Sequence, residues 1–158
     1  MLHATILRNR KYYLRRIRIV LAQLGSIRGT ILDLGCGEML LKQNLKDTEI
    51  LSYLGVDSIN FGITKDYQQR DVLEFMGSVT TSFDYIFALG LLDHLSQTHK
   101  EELLEKCCRR TNLMLVISQA NNQNPFLLFR KKLNINNSSL HLIEQLFLFK
   151  LPLTRWVW

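Results

Sequence analysis

A few residues in the N-terminal two-thirds of the chain combine types and spacings that suit a nucleoside ligand. Gly35 and Gly37 flank Cys36 at the end of an apolar run, Thr30 to Leu34. Without a Cβ, their backbone can turn sharply and lie against a ligand. Asp57, followed by Ser58, closes a second apolar run, Leu51 to Val56, and its carboxylate can accept both hydroxyl hydrogens of a ribose diol. Asp71 offers an acceptor for an exocyclic amine such as that of adenine, and the Val72 backbone N–H a donor for a ring nitrogen. Together these features fit an adenine-ribose ligand in general. A nicotinamide dinucleotide normally adds a glycine three residues beyond the second, where this chain has Leu40. His94 is the titratable histidine nearest these positions and a candidate general base. Cys36 sits where a small residue is wanted between glycines, which favours packing over nucleophilic chemistry.

These residues need elements that bring them together. Residues 6–24 read as a helix. Ile6, Tyr13, Ile17, Val20, Leu21 and Leu24 share one face, Arg8, Lys11, Arg15 and Arg18 form a stripe beside it, and Gly25 is a stop. A buried strand from Thr30 to Leu34 leads into the glycine turn, and residues 38–46 suit a helix. Leu51 to Val56 is a second strand, while residues 58–66 are too short and too rich in breakers for a full helix. A short third strand falls just before Asp71, and Val72 to Val79 is helical. Phe83 to Leu89 is a fourth strand ending at Gly90. Ser96 is the N-cap of a helix reaching Arg110, and Leu113 to Ser118 is a fifth strand. A polar loop (Ala120 to Asn124), an apolar-basic segment (Pro125 to Leu133) and a helix from Ser138 to about Phe147 follow, leaving at most one further strand. Apolar strands alternating with helices predict an α/β fold with a doubly wound, mostly parallel sheet covered on both faces. Right-handed crossovers place all strand C-termini on one edge, where open α/β sheets bind ligands. Gly35, Asp57, Asp71 and Gly90 all fall on that edge.

The 158 residues are the length of one domain, and 47% hydrophobic with 22% charged residues is ordinary for a soluble globular protein. The basic start does not read as a secretory signal, and no apolar run approaches the roughly 18 residues that span a bilayer. A cytoplasmic location is the expectation. Cys36, Cys107 and Cys108 make neither a disulfide framework nor a zinc-ligand spacing, so no metal is expected and the thiols read as unpaired. Charge is distributed unevenly. Residues 1–32 hold seven Lys/Arg and no acid, residues 33–105 five against thirteen Asp/Glu, and residues 106–158 eight against one. An acidic middle between basic ends predicts an anionic partner, RNA or a membrane surface, for the termini.

Four ordered stretches carry a more specific resemblance. Ile31-Leu32-Asp33-Leu34-Gly35-Cys36-Gly37 resembles the first motif of class I S-adenosylmethionine-dependent methyltransferases, and Asp57 in Leu54-Gly55-Val56-Asp57 matches the acid ending their second strand. Arg70-Asp71-Val72 is similar to the acidic motif after their third strand. Phe83 to Leu89 followed by Leu91-Leu92-Asp93-His94-Leu95 is similar to the stretch after the fourth. The resemblance covers about residues 28–119. It implies a Rossmann-like fold and S-adenosylmethionine as cofactor. Gly35, Cys36 and Gly37 would line its methionine and ribose part, Asp57 and Ser58 the ribose, and Asp71 with Val72 the adenine. Leu89 and Gly90 would lie near the methyl donor, and Asp33 under the glycine loop, reaching the cofactor's amino group through water.

The chain departs from that pattern in two places. Met39 stands where the family often has a third glycine, so its side chain either narrows the pocket or packs beneath the following helix. The C-terminal part is shortened, and an open sheet edge there would offer a homodimer contact. The expected organisation is a single domain over 1–158: a basic N-terminal helix (1–27), a cofactor-binding core (28–119) and a substrate-side segment (120–158). The expected activity is methyl transfer to an acceptor the sequence does not name, with a small molecule or lipid favoured slightly over RNA. A non-catalytic protein that binds the cofactor or a partner is the competing reading.

Overall fold

Along the first strand, successive side chains enter opposite layers: Leu32 and Leu34 join one buried cluster and Ile31 the other. A strand that is dry on both faces must be covered on both, and the computed structural model has helices on each side of its sheet. It describes residues 2–45, 50–63, 65–119, 127–132 and 144–148, and the side chains of 10–45, 50–63 and 65–118. The elements run α1 (Leu2–Leu24), β1 (Gly29–Leu34), α2 (Leu40–Asn44), β2 (Ile50–Asp57), β3 (Tyr67–Gln69), α3 (Val72–Ser78), β4 (Phe83–Leu89), a 3-10 turn (Leu92–His94), α4 (Gln97–Arg110), β5 (Thr111–Gln119), β6 (Leu127–Lys132) and β7 (Glu144–Leu148).

The sheet order is β3-β2-β1-β4-β5-β6-β7. The first five strands are parallel, β6 runs antiparallel to β5, and β7 antiparallel to β6. Order reverses between β1 and β4, which opens a crevice at their C-terminal ends. On one face, Leu32, Leu34, Val56, Ile86 and Leu115 pack with Phe75 and Met76 of α3 and Leu103 and Cys107 of α4. On the other, Ile31, Phe87 and Val116 pack with Ile17 and Val20 of α1 and Leu40 and Leu41 of α2. Burying each of the larger of these side chains contributes on the order of 1.5–3 kcal/mol.

Polar groups fix the register. At the start of β1 the Asp84 carboxylate accepts from the Thr30 backbone N–H (2.8 Å) and hydroxyl (3.0 Å), and the Thr30 Oγ1 accepts from the Asp84 N–H (2.9 Å). A Cβ on Gly29 would collide with this carboxylate, so only glycine fits there. The Thr30 backbone N–H, then the Asn112 and Thr30 side chains, hold the Asp84 carboxyl below its ordinary range. Ser96 caps α4 as expected, its hydroxyl accepting from the His99 N–H, and the (i, i+4) pairs Glu102–Lys106 and Glu105–Arg109 line its exposed face.

The expected strands and the expected long helices are present, with differences at the periphery. The helix expected over 38–46 is a single five-residue turn, α2, because Met39 enters it in a left-handed conformation. The C-terminal part holds two added strands rather than at most one. Residues 127–132, whose composition would also suit a lid, a membrane-facing patch or a cover over the sheet, are one of its strands, β6. Residues 144–148, expected at the end of a helix, form β7 paired to β6 with Phe129 opposite Leu146. Glu, Gln and Leu favour helix locally, but an available sheet edge satisfies a whole row of backbone groups at once. The loop over 120–124, the rest of the expected helix (138–143), His141, Trp156 and Trp158 lie outside the described residues. The edges of the seven-stranded sheet are β3 and β7. Among the described residues no helix is long and apolar enough to cross a membrane.

Candidate functional site

The turn after β1 is built for close approach. Gly35 (φ 68°) and Gly37 (φ 52°) take the left-handed conformation, and the N–H groups of Gly35 and Cys36 both reach the Val56 carbonyl, at 2.8 and 3.3 Å. A Cβ on Gly37 would meet no protein atom within 4 Å, so the backbone there borders open space. Leu91 packs over Gly35, 3.1 Å from where a Cβ would stand.

That space is a cleft of about 770 Å³ along the C-terminal edge of the sheet. Its lining includes each residue expected from sequence: Asp33, Gly35, Cys36, Gly37, Asp57, Ser58, Asp71, Val72, Leu89 and Gly90, and also His94. Asp57 ends β2, and its carboxylate accepts from the Gly37 N–H (2.9 Å) on one oxygen and from the Ile59 N–H (3.0 Å) on the other. Each oxygen keeps a lone pair, so the carboxylate ties down both loops while still able to accept from a diol. Asp71 follows β3 and caps α3. Its Oδ1 accepts from the Leu73 and Glu74 N–H groups (2.9 and 3.0 Å), leaving Oδ2 for another donor. Val72 is the first residue of α3, a position whose N–H has no partner within a helix. The pairing of β2 with β3, and the Arg70 N–H on the Asp57 carbonyl at 2.9 Å, hold the two acids next to each other.

Asp33 is buried, 3% exposed, and its carboxylate accepts from the Tyr53 hydroxyl. Burial raises its pKa from the ordinary 3.8 to about 7. The Tyr53 hydrogen bond opposes that rise, and the charge of Asp57 adds to it. Burial, then the charges of Asp33 and Asp57, also push the Cys36 thiol up, so it stays protonated and packs rather than reacts. Gly55 makes room for it: a Cβ there would stand 2.8 Å from Cys36 Sγ. His94 is exposed at the end of the 3-10 turn, on the cleft's rim.

Met39 is one of two non-glycine residues with a positive φ (56°) among the described residues, which explains why a glycine would suit the position. Its side chain is 4% exposed, belongs to the cluster of Ile31, Leu40 and Tyr53, and is absent from the cleft lining. It packs beneath the turn and does not narrow the pocket.

Sequence reasoning misses one wall. Arg10, Tyr13, Arg16 and Ile17 of α1 line the cleft, as do Ile59 and Phe61, which are exposed apolar residues in the loop after β2. Arg16 lies outside the basic stripe of α1. The available signal is its place inside the apolar face, three residues after Tyr13 and four before Val20.

No family model and no curated protein matches the chain. Solved structures do. A SAM-dependent methyltransferase from Archaeoglobus fulgidus is 24% identical with a TM-score of 0.56, over 73% of this chain and 55% of that one. The magnesium protoporphyrin IX methyltransferase of Synechocystis, with bound SAM, is 15% identical with a TM-score of 0.54, over 73% and 60%. The Bradyrhizobium japonicum N-methyltransferase NodS is 18% identical with a TM-score of 0.55, over 73% and 70%. The chain thus spans little more than half the length of the first two. These likenesses establish the fold, the Rossmann-like fold of class I methyltransferases.

Proposed function

We propose that the cleft binds S-adenosylmethionine and that the protein transfers its methyl group to an acceptor. The observation that carries this reading is the convergence, in one cleft at the sheet's switch point, of a glycine turn, a strand-end carboxylate (Asp57) and a helix-start acid with an unpartnered backbone donor (Asp71 and Val72). The residues fit the group. Asp57 would hold the ribose hydroxyls, Asp71 Oδ2 and the Val72 N–H the adenine edge, and Gly35 to Gly37 the ribose and methionine chain. Ser58 borders the ribose position, and Leu89 and Gly90 would flank the reacting end. When bound, the sulfonium supplies both the methyl group and its leaving group, so the protein's task is alignment in a dry pocket. Met39, which would favour a non-catalytic protein if it filled the pocket, lies beneath the turn.

His94, exposed on the cleft's rim, is proposed as a contact to the acceptor. The similar solved structures include enzymes whose names specify magnesium protoporphyrin IX and phosphoethanolamine, so the shared fold does not choose an acceptor. The exposed apolar pair Ile59 and Phe61 favours a small molecule or lipid with an apolar part over RNA. Calorimetric titration with S-adenosylmethionine and S-adenosylhomocysteine tests the reading, and Asp57→Ala should weaken both on the order of tenfold or more. Absence of heat with either ligand would sink the cofactor assignment. Unchanged affinity in the variant would sink the ribose contact.

A further inference from the structure

The two long helices treat their surface charges differently. Along α4, Lys106 and Arg109 each pair with a glutamate one turn earlier, Glu102 and Glu105. Along α1 there are six Lys/Arg and no acid, and no acid precedes Asp33 anywhere in the chain. Arg10 pairs with Glu38 at the cleft and Arg16 is buried. Lys11, Arg15 and Arg18 are exposed, and their spacing of i, i+4 and i+7 puts them on one side of the helix, away from the buried Ile17 and Val20. Like charges one turn apart repel, so this face costs stability until an anion lies against it.

The three cations line a shallow groove of about 610 Å³ with Leu14, Ile19 and Ala22, and no acid borders it. We propose that this outward face of α1 docks on an anionic lipid bilayer. A surface of phosphate head groups complements a row of cations whose alkyl stems lie among aliphatic side chains. RNA fits less well, because the groove offers no aromatic ring on which a base could stack. The neighbouring cleft also suits lipid. Arg10 and Tyr13 line the cleft while Lys11 and Leu14, next to them in sequence, line the groove, so the two surfaces meet along α1. Tyr13, Ile59 and Phe61 leave exposed apolar surface at that cleft. The apolar side of α1 is spent on the sheet, through Ile17 and Val20, so the attachment is peripheral and electrostatic, without insertion. Resting on the reading of the cleft above, such docking would bring its mouth to an acceptor held in the lipid surface.

The test is co-sedimentation of the full chain with vesicles of phosphatidylcholine alone and of equal parts phosphatidylcholine and phosphatidylglycerol. It needs no cofactor, so its outcome is separate from that of the S-adenosylmethionine titration. The wild type should bind the anionic vesicles and not the neutral ones. Binding should disappear as salt rises from about 0.1 M to about 1 M, where the screening length shrinks from about 10 Å to about 3 Å. Each basic side chain near an anionic leaflet is worth about fivefold in partitioning, so Lys11→Gln, Arg15→Gln and Arg18→Gln together should lower it about a hundredfold. Glutamine keeps helix propensity, and a circular dichroism melt checks that the variant folds. The matching control removes three cations from α4, Lys100→Gln, Lys106→Gln and Arg109→Gln, and should bind as the wild type does. Equal losses in the two variants would reduce the effect to net charge and overturn the proposal. So would equal binding to both kinds of vesicle, binding that survives about 1 M salt, or binding to polyuridylate with none to anionic vesicles. If the α1 variant fails to fold, the lipid and salt dependence of the wild type and the α4 control still decide the matter.

Discussion

Replacing Asp33 by asparagine should make the protein more stable at neutral and alkaline pH, by an amount that depends on pH in a defined way. Asp33 is buried beneath the glycine turn with its pKa raised from 3.8 to about 7, chiefly by burial. Folding therefore favours the neutral acid. Below about pH 4 the carboxyl is protonated in both folded and unfolded chains, and the native state bears no cost. Between about pH 4 and pH 7 the unfolded chain has released its proton while the folded one retains it, so stability falls by about 1.4 kcal/mol per pH unit. Above about pH 7 the fall is complete at roughly 4 kcal/mol. The asparagine side chain of the Asp33→Asn variant has the same shape, keeps an acceptor for the Tyr53 hydroxyl and carries no charge. Urea unfolding of both proteins from about pH 5 to about pH 8 should show the variant's advantage growing by about 3 kcal/mol across that interval. Parallel stability curves would mean that Asp33 is ionised in the fold at all these pH values, and the account of its burial would be wrong.

Met39→Gly exchanges relief of a left-handed backbone, worth about 1–2 kcal/mol, for loss of a buried side chain worth about 2–5 kcal/mol. Chemical denaturation should show a net loss of about 1–3 kcal/mol, while calorimetry with S-adenosylhomocysteine shows unchanged affinity because Met39 is outside the cleft lining. Asp84→Ala leaves the Thr30 N–H and hydroxyl without their acceptor and should cost about 1–3 kcal/mol. Since the folded pKa of Asp84 is lowered, that contribution is present above the ordinary carboxylate range and fades as pH falls through the folded value. The gap between variant and wild type in thermal melts should narrow in acid.

The parts of the fold legible in the sequence are those where local pattern and tertiary packing agree. Phe83 to Leu89 is apolar nearly throughout because both faces of β4 are covered, and its predicted bounds coincide with the observed ones. Asp71 reads as a ligand acceptor, and its second task, capping α3, follows from the same residue type. Glu144 to Leu148 reads as helix because its residues are helix formers, whereas its pairing with a neighbouring strand is information that is not local. Within the site, strand ends announce themselves by apolar runs broken by Gly or Asp. The α1 wall does not, since an arginine is ordinarily a surface residue, and only contact with Tyr12, Tyr13 and Gly90 shows that Arg16 is buried.

That wall has a thermodynamic consequence. Arg10, Tyr13, Arg16 and Ile17 belong to a helix that precedes the sheet, so the cleft is complete only while α1 is docked. A ligand that touches these side chains binds the docked form alone, and occupancy and docking become a single equilibrium. Amide protons of α1 then report ligand affinity by their exchange rates. A change at the helix's far, solvent-facing side that loosens its seat weakens binding without any contact to the ligand.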